Sequence, residues 1–502
     1  MKKKGIILVC PETNEPLDRV MPSLSLLAVA ATLVDEYNVT IVDVRVDKEY
    51  EKKIFPLLEN AVVVGFTCMT GPQIKSAIAA AKSIKEKYPS LPLVWGGWHP
   101  SILPEQTAID PYVDIVVKGQ GEVTFRELIR QIEAGGPLDG VEGITFKKDG
   151  KVISNPPRQM HDLDSLPYLP YHLVDLKKYP GRRRTPQDVC IPFRASQGCP
   201  WRCAYCADPL VFKRKWKGMR APRIVAEIED LIKKYRVNDF RFVDDTFVVN
   251  EQYIKEFCEE VLRKNLAFEW VACARIGTIA KMSDETLKLI KRSGCMLLHP
   301  GVEVATQEML NMIQKDEKME DLYVCAEKLS KAGISALYSF MVAFPGEPKD
   351  SISNTFKIIK RLKQINPNNI CPVNFYMPYP GNDLYPRCIE HGFKPPQKLA
   401  DWGDFNTRFG NSTPWVTARQ KFEVLRKDRY YFPAAFPSET LRGKMESKSA
   451  WRFVYRAFHR IAKFRVENDW YGLGIDWWLL FAYWKFWQYF NRKLRLHNIM
   501  FR

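Results

Sequence analysis

Short apolar runs alternate with amphipathic stretches twice along this 502-residue chain, and that repetition constrains its fold more than any other feature. The runs at 6–9, 40–43, 61–66, 91–95 and 113–117 are too apolar for strands with one wet face, so they read as strands buried on both sides. Between them lie helical patterns; in the clearest, Ile74, Ala77, Ile78, Ala81, Ile84 and Tyr88 share one face. Five strands alternating with helices predict a parallel, doubly wound α/β sheet, closed off at Gly135-Gly136-Pro137. A connector over 141–186 contains a predicted hairpin at 144–153 turning at Asp149-Gly150, then Pro156-Pro157, Pro167, Pro170 and Arg182-Arg183-Arg184. The second alternation has runs at 191–196, 239–243, 269–275, 296–303, 335–344 and 370–377. Six strand–helix units predict a partial (β/α)6 barrel of TIM type over 187–380, with active groups at the strand C-terminal ends. Asp244, Asp245, Arg275 and Glu303 all stand at such ends. Residues 381–502 read as mainly helical, aromatic and basic. The expected division is therefore 1–140, 141–186, 187–380 and 381–502.

Composition excludes whole classes. Apolar residues at 46% and charged residues at 26% fit a globular chain and rule out a disordered tail or collagen-like rod. No apolar run approaches the ~20 residues of a membrane-spanning helix. Met1-Lys2-Lys3-Lys4-Gly5 leads into too short an apolar stretch before Pro11 for a signal peptide, so a cytoplasmic location is expected. The net charge is +17, from 75 Lys/Arg against 58 Asp/Glu. From residue 440 onward there are 13 Lys/Arg against 4 Asp/Glu, so +9 sits in the last eighth of the chain. A terminal excess points to a surface read by one segment, rather than to nucleic acid along the whole molecule.

Three of the 12 cysteines fall within eight residues, as Cys199-Pro-Trp-Arg-Cys203-Ala-Tyr-Cys206, in the loop after the first barrel strand. Three thiolates on a tight loop can hold three irons of a [4Fe–4S] cluster and leave the fourth open to chelation by a substrate. The alternatives are a zinc site, which wants four ligands and finds no fourth Cys or His nearby, or unrelated thiols.

Across 190–380 the sequence closely resembles the radical S-adenosylmethionine (SAM) superfamily, whose signature is this CxxxCxxC loop. The resemblance implies that the cluster reduces SAM to methionine and a hydrogen-abstracting 5′-deoxyadenosyl radical. It further implies SAM contacts from Tyr205 (adenine, through its backbone), Asp244 and Asp245 (amino group, in Phe242-Val-Asp-Asp-Thr-Phe247), Arg275 (carboxylate) and Glu303 (ribose hydroxyls, in Gly301-Val-Glu303). Asp-Asp stands where Gly-Gly-Glu is more widespread in the family. Taken singly, each of these side chains also reads as a helix cap or a solvated charge.

The N-terminal unit resembles the cobalamin-binding domain fused to many radical SAM enzymes, a flavodoxin-like Rossmann fold. The matching pieces are Pro22-Ser-Leu-Ser25-Leu26, Gly65-Phe-Thr67-Cys-Met-Thr70, Gly96-Gly97-Trp-His99 and Gly119-Gln120-Gly121-Glu122. These imply cobalamin contacts from Ser25, Thr67, Thr70, Gly96, Gly97, His99, Gly119, Gln120, Gly121 and Glu122. Bulky residues at Gly97 or Gly121 are expected to block the corrin while sparing the fold. No Asp-x-His-x-x-Gly motif is present, so the sequence offers no lower cobalt ligand. His99 either bonds the corrin or caps the helix that follows.

Together the resemblances imply a cobalamin-dependent radical SAM enzyme, most often a methyltransferase acting on an unactivated carbon through methylcobalamin. The expected cofactors are a [4Fe–4S] cluster, SAM and cobalamin. The expected partners are a small-molecule or lipid-like substrate and an external donor of flavodoxin or ferredoxin type. Alternatives are radical ring formation without methyl transfer, as in the magnesium-protoporphyrin cyclase group, and a non-catalytic metal-bearing scaffold that binds RNA. A methylthiotransferase would carry three more N-terminal cysteines, whereas residues 1–189 contain only Cys10 and Cys68.

For 440–502 two readings stand. Arg452, Arg456, Arg460 and Lys463 recur at helical spacing among Trp451, Phe453, Tyr455, Phe458 and Phe464, followed by the uncharged run 477–484 and by Trp487, Tyr489 and Phe490. Cations mixed with aromatic rings suit a peripheral contact with the inner face of a membrane. Alternatively the aromatics pack onto the barrel as core.

Overall fold

The computed structural model describes residues 3–13, 15–181, 188–405, 413–437 and, with interruptions, 442–479. Arg182-Arg183-Arg184, Trp477 and residues 480–502 lie outside the described residues. The first alternation folds as β1 (Gly5–Cys10), β2 (Asn38–Asp43), β3 (Ala61–Thr67), β4 (Leu93–Gly96) and β5 (Ile115–Val117). Their order is β2-β1-β3-β4-β5, all parallel, which is the doubly wound flavodoxin-like arrangement expected from the apolar runs. Apolar side chains of β1, β3 and β4 are withdrawn from water on both faces. The helix Pro72–Lys87 covers one face with Ile74, Ala77, Ala81 and Ile84, while Gly121–Glu133 covers the other with Phe125, Leu128 and Ile129. The hairpin β6 (Ile144–Lys148) and β7 (Lys151–Ser154) turns at Asp149-Gly150 as expected. It is not free-standing, because β6 pairs antiparallel with β5 and extends the sheet to seven strands.

The second alternation begins with β8 (Cys190–Phe193). The chain then leaves the barrel as a small antiparallel ribbon, β9 (Ser196–Gly198) with β10 (Trp216–Gly218). The barrel continues with β11 (Asp239–Phe242), β12 (Glu269–Arg275), β13 (Cys295–Glu303), the broken fifth unit β14 (Ser335–Ala336) and β15 (Ser339–Val342), and β16 (Val373–Phe375). Every pair in this sheet is parallel, and β8 and β16 form its two edges, which makes a partial barrel.

The C-terminal part is helical but reaches further than the sequence indicates. The turn Leu399–Asp404 folds back over Pro72–Lys87, with Trp402 buried and its Nε1 donating to Gln106 Oε1 at 2.6 Å. The helix Trp451–Glu467 packs through Ala462 and Val466, and its Arg465 pairs with Asp476 at 2.7 Å in a buried contact. No described helix is long and apolar enough to cross a membrane.

An aromatic knot holds the β11–β12 side of the barrel. Phe242 stacks on Phe247 at 4.2 Å, and Trp270 meets Phe242 at 5.9 Å and Phe257 at 5.6 Å. Trp270 Nε1 donates to Ser293 O at 3.0 Å. Trp270→Ala should cost about 3–5 kcal/mol, as deletion of a buried aromatic side chain does. A denaturation midpoint equal to that of the unmodified protein would contradict this.

Candidate functional site

The cysteine loop starts at Gly198, whose φ of +78° suits glycine, and where a Cβ would collide with Lys215 O across the ribbon. Cys203 is buried, while Cys199 and Cys206 are half-buried. Three long-range bonds hold the loop: Ala204 N donates to Ile313 O at 2.9 Å, Leu384 N to Ala204 O at 3.2 Å, and Asn382 Nδ2 to Tyr205 O at 3.0 Å. Among the described residues no three Cys, His, Asp or Glu side chains converge on one metal ion. A cubane needs no such convergence, because it places each thiolate on a different iron. Burial pushes the Cys199 thiol up to about 12 and raises Cys206 as well, so iron binding would release protons.

Two acids flank the loop with oxygens left over. Asp244 is buried; its Oδ1 accepts from Ala195 N at 2.9 Å, from Ser196 Oγ at 2.7 Å and from Ser196 N, while Oδ2 has no partner among the described residues. Burial raises its pKa to about 7, against those hydrogen bonds. Asp208 is buried, and its pKa rises to about 9 through burial first and then through the neighbouring Asp245 carboxylate, with which it shares a hydrogen bond. A buried acid pair and an unpartnered Asp244 Oδ2 are costly in isolation, so these carboxyl groups fit a cationic, hydrogen-bond-donating ligand such as the SAM ammonium.

Arg275 is already engaged. Its guanidinium lies 4.4 Å over Trp201, Nη1 approaches Cys203 Sγ at 3.6 Å, Nη2 donates to Lys315 O, and Nε pairs with Glu317 at 3.3 Å. Glu303 ends β13 in the left-handed region, φ +71°, and meets Lys315 Nζ at 3.6 Å and Ser339 Oγ at 3.4 Å. Lys315 also reaches Glu317 at 3.7 Å, so Arg275, Glu317, Lys315 and Glu303 form one buried network of alternating charge. Sequence reasoning missed Lys315 and Glu317, because Lys315-Asp316-Glu317-Lys318 reads as a solvated charge run. Positive φ at Gln314 and Asp316 turns Lys315 and Glu317, the residue after each, inward. Tyr205 packs its ring on Phe344 at 6.2 Å.

At the C-terminal ends of β1, β3 and β4, a slot opens between the N-terminal sheet and the barrel. Ser25, Thr67, Gly96, Gly97, Gly119, Gly121 and Glu122 line it, together with Arg194 and Gln197 from the barrel side. Ser25 Oγ and Thr67 Oγ1 are hydrogen-bonded to each other at 3.0 Å in its lining. Gly96 leaves ordinary van der Waals space, a cradle that any side chain would fill. Thr70 and His99 stand apart from the slot. His99 is fully buried, with Nδ1 3.0 Å from Thr70 Oγ1 and its ring 5.6 Å from Trp402, and burial lowers its pKa to about 4. Gln120 and Glu122 are committed to contacts with the barrel, Gln197 and Arg194 respectively.

Residues 194–359 match the radical SAM superfamily, and residues 16–129 match the B12 binding domain. The chain is a radical SAM protein with a B12-binding domain. The first domain type takes a [4Fe–4S] cluster and SAM, and the second takes cobalamin. The loop thiols and the buried carboxylates fit the first set, and the glycine slot fits the second. An uncharacterized methyltransferase of Pyrococcus horikoshii, PH0819, is 29% identical over 78% of this chain and 84% of its own length. The anaerobic magnesium-protoporphyrin IX monomethyl ester cyclase of Rubrivivax gelatinosus is 28% identical over 64% of this chain, which spans 58% of the cyclase. In fold, the chain is similar to the radical SAM methyltransferase TsrM of Kitasatospora setae, solved with cobalamin and a [4Fe–4S] cluster. The TM-score is 0.66 at 16% identity, covering 92% of this chain and 99% of TsrM.

The two glycines expected to behave alike do not. Gly97 has φ +100°, and a Cβ there would sit 2.7 Å from Cys68 O, so substitution strains the fold itself. Gly121 would place a Cβ 3.3 Å from Val29 Cγ2, a contact that side chain can relieve by turning. Gly97→Ala should therefore lower the melting temperature of the protein without ligand. Gly121→Leu should keep that temperature close to the parent's and lose corrin uptake, read from the visible spectrum. Full corrin binding by Gly121→Leu would remove the slot from consideration.

Proposed function

We propose that this chain is a cobalamin-dependent radical SAM methyltransferase that acts on an unactivated carbon. When bound, the cluster and SAM supply a 5′-deoxyadenosyl radical and cobalamin a transferable methyl group, with electrons from an external flavodoxin- or ferredoxin-type donor. The single observation that carries the reading is the braced loop of Cys199, Cys203 and Cys206 beside the buried acids Asp244 and Asp208. In this reading residues 1–140 hold the corrin, 187–380 hold cluster and SAM, and 381–502 govern the approach to substrate, with 141–186 as the link. Asp244 and Asp208 accept from the SAM ammonium, with Asp245 beside them. Arg275 balances charge at the cluster loop, Glu303 accepts from the ribose, and Tyr205 meets the adenine through its backbone. Ser25, Thr67, Gly96 and Gly121 cradle the corrin's tail. Ring formation without methyl transfer is the second reading, supported by the likeness to the cyclase. Cys199→Ala, Cys203→Ala and Cys206→Ala should each abolish reductive SAM cleavage and most bound iron and sulfide. Full cleavage by all three variants would overturn the assignment.

We propose also that the chain meets a lipid-like substrate at an anionic membrane face. Of the eighteen large apolar side chains exposed among the described residues, seven lie between 453 and 479. On the helix Trp451–Glu467, Phe453 (80% exposed), Ile461 and Phe464 (57%) form an outward stripe at helical spacing. Arg452, Arg456, Arg460 and Lys463 are exposed along its border. Such an arc buries its rings at the headgroup level while its cations meet anionic lipid. Flotation with phosphatidylserine-containing vesicles at low salt should recover the protein, and Phe453→Ser with Phe464→Ser should abolish recovery. No flotation of the parent, or undiminished flotation of the double variant, would end this proposal.

A further inference from the structure

Helix Gly121–Glu133 begins at the rim of the glycine slot, and β8 ends six residues before Cys199. Four side chains tie these two places together. Arg194 Nη1 donates to Glu122 Oε1 at 2.6 Å, with side-chain exposures of 15% and 4%. Gln120 Nε2 donates to Gln197 Oε1 at 2.6 Å, and Arg194 Nη1 reaches that same oxygen at 3.5 Å. Gln120 Oε1 accepts from His161 N at 2.6 Å. Burial is the largest single influence and would raise the Glu122 pKa, yet the Arg194 charge and the hydrogen bonds Glu122 accepts together hold it below its ordinary value. The pair is thus ionised and out of water, where separating the charges is costly. Lys75–Asp404, which also joins the N-terminal unit to later chain, is 52% and 75% exposed, and water permits it to slide.

The short segment that Glu122 grips serves both sites. Arg194 and Gln197 line the slot, Ala195 and Ser196 brace Asp244, and Gly198 delivers the chain to Cys199. A displacement of Glu122 therefore moves the slot wall and the cluster loop relative to each other. Methyl transfer to a carbon radical needs both groups aligned on one atom, and a misplacement of about 1 Å costs on the order of 100-fold in rate.

We propose that the Arg194–Glu122 pair, braced by Gln120 and Gln197, is a positioning device that holds the corrin slot and the cluster loop at one separation. It rests on the cofactor reading above. The test is the spin–spin coupling, by electron paramagnetic resonance, between cob(II)alamin and the reduced cluster in the fully loaded protein, which reports their distance. Compared at equal corrin and iron content, Glu122→Gln and Arg194→Lys should show a weaker, broader coupling than the parent. Methyl transfer should fall on the order of 10- to 100-fold while SAM cleavage persists. The double variant Glu122→Gln/Arg194→Gln should be no worse than the worse of its two single variants, as expected for partners acting as one unit. Lys75→Ala should leave the coupling unchanged. Should Glu122→Gln fail to fold, Arg194→Lys, which keeps the charge and loses the fork, decides alone. Parental coupling in every folded variant of the pair overturns the proposal. A parent protein that takes up no corrin overturns the cofactor reading, and this inference with it.

Discussion

The cysteine loop has no regular structure of its own, so its shape depends on groups far away in sequence. Bonds from Ile313, Asn382 and Leu384 hold Ala204 and Tyr205, and they come from the fourth barrel unit and from the turn after β16. Three such bonds contribute about 1 kcal/mol each. Ordering the eight residues from Cys199 to Cys206 costs about 1–2 kcal/mol apiece, which those bonds alone do not offset. Burial supplies the difference: Cys203 and Ala204 are withdrawn from water, and Tyr205 packs against Phe344. The loop's shape therefore depends on the folded partial barrel, whose later units carry its partners.

The same dependence explains what could be read from the sequence. Strands buried on both faces announce themselves as apolar runs, so β1 to β5 and the barrel strands were legible, together with their parallel order. Cys199, Cys203 and Cys206 were legible because local spacing carries their chemistry. The ribbon of β9 and β10 was not, since Ser-Gln-Gly and Trp-Lys-Gly have no strand-like pattern and pair only through tertiary contact. Lys315 and Glu317 were hidden for a related reason. A charge run looks solvated unless one knows that left-handed turns at Gln314 and Asp316 direct alternate side chains into the barrel. His99 stands in a plausible motif, but what decides its chemistry is burial under Trp402, and Trp402 lies some three hundred residues away.

Helix Trp451–Glu467 shows why aromatic residues at helical spacing gave two readings. One element carries both a packed face and an outward apolar stripe. Ala462, Arg465 and Val466 face the protein, where Arg465 is neutralised by Asp476 and lies 4.6 Å from the Trp470 ring. Phe453, Ile461 and Phe464 face outward with Arg452, Arg456, Arg460 and Lys463. Periodicity alone measures how wide the apolar arc is, not which part of it finds a neighbour.

Electrostatics at the barrel mouth divides the charged groups into two kinds. Arg275, Glu317, Lys315 and Glu303 neutralise one another within the protein, so their first task is to stiffen the wall against which the cysteine loop rests. Asp208, which shares a hydrogen bond with Asp245, and the outer oxygen of Asp244 meet no cation among the described residues. A buried carboxylate retained without a donor costs several kcal/mol unless a ligand completes it. The expense is localised beside the thiols rather than spread around the rim. In the proposed reading, recognition of SAM therefore begins with its cationic end at these two acids. Arg275 acts chiefly through the loop it touches at Cys203, and a carboxylate arriving there would have to compete with Glu317 for the same guanidinium.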